Sequence, residues 1–339
     1  MEEYKKLKYT DFPDPKIEEP RDLLVRIKAA AICGSDVHGF DGSTGRRKPP
    51  LVMGHEAAGE VVETGSAVKS FKKGDRITFD STIYCGECFY CQNGMVNLCD
   101  KRVVLGVSCD EYRRHGAFAE YIVIPERIAF HLPEGLSYEE AACTEPAAVA
   151  AHALRLTPIV LNDTVAVVGA GLIGNLVIQL LKSSGSGKII ALETEPARRE
   201  TAKSFGADEV LDPADPDLDE KVKELSGGRG VDRVIEAVGM TGPVKSAISI
   251  VRKGGSITLV GNVSPNVEIP LQMVVSRQIS LQGSCAISGE YPLALDLLAR
   301  KKIDVKSLLS AIVPLSDGEK WMNKLYNREG DLLKVALVP

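Results

Sequence analysis

The sequence predicts an α/β protein in two parts, a β-rich half followed by a doubly wound parallel sheet, and three observations carry that prediction. From Leu23 to Tyr121 the chain advances in short β-type runs broken by glycine and proline, among them LLVRIKAAAI, AAGEVVETG, DRITFDST and AFAEYIVIP. Runs of this length with frequent turn signals form a small barrel or sandwich. After Pro133 the pattern changes: SYEEAACTEPAAVAAHALRL has helical spacing, and apolar strands then alternate with amphipathic helices (TVAVVG, LIGNLVIQLLKSS, KIIALE, ARRETAKSFG, RVIEAVG, PVKSAISIVRKGG, SITLVG). Such alternation builds right-handed βαβ units with helices on both faces of a parallel sheet. Finally, 339 residues exceed what one core supports, and two domains of about 100–200 residues each are expected. The tail from about Cys285, with EYPLALDLLARKKI and the closing LLKVALVP, does not declare its place by pattern.

Composition excludes several classes. With 44% hydrophobic and 26% charged residues the chain has the make-up of a soluble globular protein, and no apolar run approaches the roughly 20 residues that span a bilayer. A net charge of −5 without a basic stripe argues against a nucleic-acid partner. Its opening segment, MEEYKKLKYT, is not leader-like, so the eight cysteines point to a reducing cytoplasm.

Four of those cysteines, Cys85, Cys88, Cys91 and Cys99, fall in TIYCGECFYCQNGMVNLC. Two-residue spacers let successive sulfurs turn toward one ion at about 2.3 Å, the requirement of a tetrahedral zinc cage. The alternative is a pair of disulfides, which a reducing compartment disfavours. With all four ligands protein-derived, no position stays open for substrate, so this zinc is structural.

In TVAVVGAGLIGNLVIQLL, Gly169, Gly171 and Gly174 form G-x-G-x-x-G between an apolar strand and a helix. The first glycine permits the tight turn, the second admits a pyrophosphate, and the third lets helix and strand pack closely, while helix N–H groups face the phosphates. The next strand ends in Glu193, nineteen residues after Gly174. A carboxylate there accepts hydrogen bonds from the ribose hydroxyls and repels a 2′-phosphate, which selects NAD over NADP. Leu172, Ile173, Val238 and Val260 are expected to line the same coenzyme site. Arg198 and Arg199 could instead accommodate a 2′-phosphate; a solvated helix face, or a position over the adenine, is the expected alternative.

Three polar clusters stand out in apolar surroundings: Cys33-Gly34-Ser35-Asp36-Val37-His38, Gly54-His55-Glu56, and Thr144-Glu145-Pro146. Cysteine, histidine and carboxylate are the ligand types of a catalytic zinc, but ligands so scattered cannot be assigned from spacing. Singly, each has a plain alternative as a buried or capping residue.

Taken in order, CGSDVH at 33–38, GHEAAGEV at 54–61, the cysteine loop at 85–99, GAFAEY at 116–121, the glutamate of EPAAVAAHA and GAGLIG at 169–174 resemble the zinc-dependent medium-chain dehydrogenases, in their polyol (sorbitol-like) branch. The resemblance implies a GroES-like catalytic domain at 1–144, carrying a structural zinc lobe at 80–100. It also implies a Rossmann NAD domain at 145–284, and a segment at 285–339 that returns to the catalytic domain. It places Cys33, His55 and Glu56 on a catalytic zinc, with Glu145 in the remaining position, directly or through a water. One thiolate with hard carboxylates keeps the ion a strong Lewis acid, suited to an alcohol oxygen. Ser35 is then the acceptor of the substrate proton, and His38 passes it toward solvent.

The implied reaction moves hydride from a secondary alcohol of a polyol or sugar derivative to NAD, with two zinc ions per chain. Partners are then a small-molecule substrate and further copies of the chain, as a homodimer or homotetramer. An activity like that of L-threonine 3-dehydrogenase and a catalytically inactive, zinc-stabilised NAD-binding protein stay open beside it. Arg46, Arg47 and Lys48 raise the idea of an anionic substrate, a sugar acid or sugar phosphate, against the alternative of a solvated charged turn. Cys143 could compete as a sulfur ligand, although packing is its expected role, and His115 has no account from sequence.

Overall fold

A computed structural model describes residues 1–109 and 113–339 and divides into two compact units. Met1–Ala148 and Ile287–Pro339 form the first, and Val149–Ala286 the second. The tail that resisted placement thus belongs with the N-terminal part. In chain order the strands are β1 (Asp22–Ile32), β2 (Glu56–Thr64), β3 (Arg76–Phe79), β4 (Thr82–Ile83), β5 (Val103–Val104), β6 (Tyr121–Pro125), β7 (Ala129–His131), β8 (Val165–Val168), β9 (Ile189–Leu192), β10 (Glu209–Leu211), β11 (Val231–Glu236), β12 (Val251–Leu259), β13 (Ser280–Gly283), β14 (Leu309–Pro314) and β15 (Lys334–Val338).

The first unit is built on a seven-stranded sheet in the order β14-β15-β1-β2-β3-β7, with β6 also paired to β1. Alternate apolar residues of these strands, including Leu23, Val25, Ile27, Val61, Ile77, Phe79, Ile122 and Ile124, meet in one buried cluster. Pairing sets the neighbours of the future site. In β1, Ala31 stands opposite Glu56 of β2, and Ile32 opposite Val335 of β15. Three strand ends therefore converge, bringing Cys33, the His55-Glu56 pair and Lys334 to one place. Tyr291 anchors the returning segment: its hydroxyl donates to the Phe79 carbonyl at 2.5 Å and its ring stacks on Phe130 at 4.8 Å.

The second unit is a six-stranded, all-parallel sheet in the order β10-β9-β8-β11-β12-β13. Strand order reverses between β8 and β11, and ligands of open α/β sheets bind at the carboxyl end of such a switch point. Val168, Ile190, Leu192, Val234, Ile248 and Ile257 fill its core.

The alanine-rich segment of helical spacing forms two helices, Tyr138–Ala142 and Thr144–Leu156. Ser137 and Glu140 form a capping box at the start of the first. Pro146 lacks the N–H that would carry the ladder across Cys143, and proline is tolerated in the first turn of the new helix, which is where it sits.

Candidate metal and coenzyme sites

Beyond β1 the chain turns into the short helix Gly34–Gly39, with Cys33 as its N-cap. The Cys33 sulfur accepts the Ser35 N–H at 3.4 Å, and the Asp36 carboxylate accepts the Cys33 N–H at 3.2 Å, a capping box in which cysteine replaces the usual hydroxyl residue. Donor atoms of Cys33, His55 and Glu56 lie within 4.8 Å of one another. Glu145 is buried in the first turn of its helix but stands outside that close group. Burial, reinforced by Glu56 and Asp80 against His55 and Lys334, pushes its carboxyl up to about 8.

The chemistry of the triad suits a cation. Glu56 is fully buried; its Oε2 takes the Lys334 ammonium at 2.5 Å, while Oε1 has no hydrogen-bond partner. A buried carboxylate oxygen without a partner is costly unless a positive ligand satisfies it. At His55, burial disfavours charge, but the Asp36 carboxylate, 3.5 Å from Nδ1, and Cys33 outweigh it and hold the ring's pKa well above its ordinary value. The negative field that retains a proton there would equally retain a metal ion in its place. Cys143, fully buried, has its thiol pushed up to about 12 by burial and is not in the donor group. It is a packed neutral residue.

Ser35 lies at the exposed side of this cluster. Its hydroxyl oxygen is 3.3 Å from Cys33 Sγ, 3.5 Å from His55 Nε2 and 3.1 Å from Arg47 Nη2. His38 is exposed one helical turn on; burial and then Arg328 lower its pKa, with Asp41 opposing. Among the described contacts none joins its ring to Ser35.

Arg47 departs from both readings of the Arg46-Arg47-Lys48 run. Its side chain is only 2% exposed, and Nε and Nη2 both donate to Asp36 Oδ1, at 3.1 and 2.9 Å. It is neither a solvated charge nor a group open to a substrate anion. Burial tends to raise the Asp36 carboxyl, but His55 and Arg47 hold it well below the usual carboxylate range. The Lys334 ammonium, also fully buried, donates to the Ile32 carbonyl at 3.0 Å in addition to Glu56. Sequence reasoning missed Lys334 and the buried pairing of Asp36 with Arg47; for Lys334 the one local hint was a lysine opening the otherwise apolar strand KVALV.

Sulfurs of Cys85, Cys88, Cys91 and Cys99 lie within 4.8 Å of one another, and all four residues are free thiols. Backbone N–H groups of Cys85 and Lys101 each reach Cys99 Sγ at 3.3 Å. N–H bonds from Cys91 and Asp100 bring the Cys88 thiol down to about 6, whereas burial pushes Cys91 up to about 12. Four converging sulfurs with amide donors around them are the arrangement that holds zinc.

In the second unit the loop after β8 enters helix Leu172–Ser184, whose N-cap Gly171 supplies no side-chain cap. A Cβ on Gly174 would sit 1.9 Å from the Gly169 carbonyl oxygen, so only glycine permits this helix–strand approach. A Cβ on Gly171 would meet nothing within 4 Å, leaving the backbone open to a phosphate group. Glu193, buried just past β9, accepts the Ala170 N–H at 2.8 Å. Val238 packs on Gly169, Val260 donates its N–H to the Glu236 carbonyl at 2.8 Å, and Leu172, Ile173 and Arg198 are half-buried nearby in sequence. Arg199 is committed to the Glu193 and Thr194 carbonyls and to Asp212, at 2.8, 2.9 and 3.0 Å.

His115 gains an explanation: its Nδ1 accepts the Val52 N–H at 3.1 Å and its ring packs edge-on to Phe12 at 5.0 Å. Burial and Arg113 lower its pKa, as suits an imidazole that must stay an acceptor.

Residues 19–134 match the family model of the alcohol dehydrogenase GroES-like domain, and residues 173–300 that of the zinc-binding dehydrogenase. The chain is 33% identical over 344 residues to sorbitol dehydrogenase of Bacillus subtilis (strain 168), covering 100% of this chain and 96% of that protein. The chain belongs to the zinc-dependent medium-chain dehydrogenases, in their polyol branch. Among solved members of the family, alcohol dehydrogenase TADH from Thermus sp. ATN1 superposes with a TM-score of 0.92 at 29% identity, covering 100% of this chain and 98% of that one. A zinc-binding dehydrogenase from Sinorhizobium meliloti 1021, solved with NADP, gives 0.87 at 33% identity, covering 96% and 94%. This medium-chain dehydrogenase is accordingly an enzyme of zinc and a nicotinamide coenzyme. No helix among its described residues is long and apolar enough to cross a membrane.

Proposed function

We propose that this dehydrogenase oxidises a secondary alcohol of a neutral polyol to the ketone with NAD as hydride acceptor. Its catalytic zinc would be held by Cys33, His55 and Glu56, and its structural zinc by Cys85, Cys88, Cys91 and Cys99. The observation that carries this reading is the Cys33-His55-Glu56 group, partly exposed at Cys33 and buried at His55 and Glu56, with its unpartnered Glu56 oxygen. When bound, the metal supplies positive charge at the alcohol oxygen and the coenzyme takes the hydride. Ser35, exposed beside the triad, accepts the proton of the substrate hydroxyl and hands it toward His38 and solvent. Glu145, near the triad but outside it, acts through solvent rather than as a direct ligand. Internal pairing of Arg47 removes the strongest argument for an anionic substrate, and likeness to a sorbitol dehydrogenase favours a neutral polyol.

Glu193 supports NAD over NADP, because its carboxylate stands just past β9 and the neighbouring Arg199 is already bonded. Glu193→Ala removes charge-assisted bonds worth about 1.5–3 kcal/mol. The expected result is a fall in kcat/KM for NAD on the order of 10- to 100-fold, with kcat/KM for NADP unchanged or raised. Steady-state kinetics with both coenzymes checks it, and an unaltered NAD preference contradicts it.

A further inference from the structure

We propose that Arg47 is a positioning residue that aims the Ser35 hydroxyl at the substrate. The inference rests on the reading of Ser35 as proton acceptor.

The guanidinium is built into place from several sides. The backbone on either side of it is pinned to Ser108, whose N–H donates to the Arg46 carbonyl at 3.0 Å and whose hydroxyl accepts the Lys48 N–H at 2.8 Å. Its stem crosses Gly39, where a Cβ would stand 2.5 Å from Arg47 Cγ. Its head reaches Asp36 Oδ1 through Nε and Nη2, Ser35 Oγ through Nη2 at 3.1 Å, and the Arg46 carbonyl through Nη1 at 3.4 Å.

Donor count gives this arrangement a direction. A guanidinium only donates, and a serine hydroxyl has two lone pairs and one proton. Arg47 occupies one lone pair of Ser35. The other is left to receive the substrate proton, and the O–H must point to a further acceptor. The two protein atoms near the oxygen that could accept its proton, Cys33 Sγ and His55 Nε2, belong to the donor triad, so with a metal on them the O–H turns outward. Arg47 thereby selects the rotor state in which the proton moves from substrate to solvent. The same Asp36 oxygen lies 3.5 Å from His55 Nδ1 without a hydrogen bond to it, so the directed contact of the guanidinium on this side is the one to Ser35. Lysine cannot replace it, because one ammonium lacks the planar fork that reaches Asp36 and Ser35 together.

The test is a cycle of wild type, Ser35→Ala, Arg47→Lys and the double variant, each assayed for zinc content, kcat, KM for NAD and the solvent deuterium isotope effect on sorbitol oxidation. Arg47→Lys is expected to keep its zinc and its KM for NAD, to lose about 10- to 100-fold in kcat, and to show a larger solvent isotope effect. In the Ser35→Ala background the same change is expected to cost less than about twofold, the non-additivity of residues acting as one unit. Should Arg47→Lys fail to fold, Gly39→Ala displaces the arginine stem without removing its charge and is expected to give the same signature. An equal loss in both backgrounds, or no loss in either, overturns the role of Arg47 alone. Wild-type kcat in Ser35→Ala overturns the proton-acceptor reading and the Arg47 proposal with it.

Discussion

Replacing Lys334 by methionine is expected to destabilise the metal-free protein by about 3–5 kcal/mol, the cost of leaving one partner of a buried ion pair unpaired. Lys334 and Glu56 are both fully buried with their charges 2.5 Å apart. Methionine matches the lysine stem in volume, so packing is retained and the loss is electrostatic. Burial tends to lower the pKa of Lys334, but Glu56, Cys33 and Cys143 raise it above the ordinary 10.5. A raised pKa means that the contribution is complete at all pH below the ordinary lysine value and is lost only as pH rises through the folded-state value. The ammonium's own contribution should therefore be constant across the neutral range. Zinc on the triad would supply positive charge to Glu56 in place of the ammonium, so the deficit should shrink when metal is added. Urea unfolding with and without zinc measures both; identical midpoints for variant and wild type without metal would show that the pair adds nothing.

Cys91→Ala is expected to act through the other metal. Its sulfur lies 3.9 Å from that of Cys85 within the four-sulfur group, and three thiolates leave a tetrahedral zinc open to water and exchange. Zinc content should fall from two ions per chain to one. Stability should drop by several kcal/mol, within the roughly 10–16 kcal/mol by which zinc-finger peptides hold their ion. Below the lowered midpoint, kcat should be nearly unchanged, since the proposed chemistry uses the other donor group, at Cys33, His55 and Glu56. A variant that retains both ions and its thermal midpoint would contradict a structural role.

What the sequence made legible was local. The strand, glycine turn and helix around Gly169 are one contiguous segment, and the four cysteines need only a short loop, so spacing alone states their geometry. Cys33 and the His55-Glu56 pair were legible as a resemblance, not as geometry, because they meet only through the pairing of β1 with β2. Lys334 was out of reach for the same reason, lying 278 residues from Glu56 and brought there by β15. Arg47 misled for a different one. A charge run in a turn is ordinarily solvated, and only the burial of Asp36 beneath it turns one of three adjacent cations inward. The break at Cys143 was written in Pro146, but the alanine-rich pattern on either side masked it.

The central claim is that the Cys33-His55-Glu56 triad makes this chain an NAD-dependent polyol dehydrogenase. The most direct measurement is reduced-nicotinamide absorbance from the zinc-loaded protein with NAD, over a panel of sorbitol, xylitol, aldonic acids, sugar phosphates and threonine. The expected result is NADH formation with a neutral polyol, abolished in Cys33→Ala. Absence of NADH with every neutral polyol, or turnover confined to threonine or to anionic sugars, would contradict it.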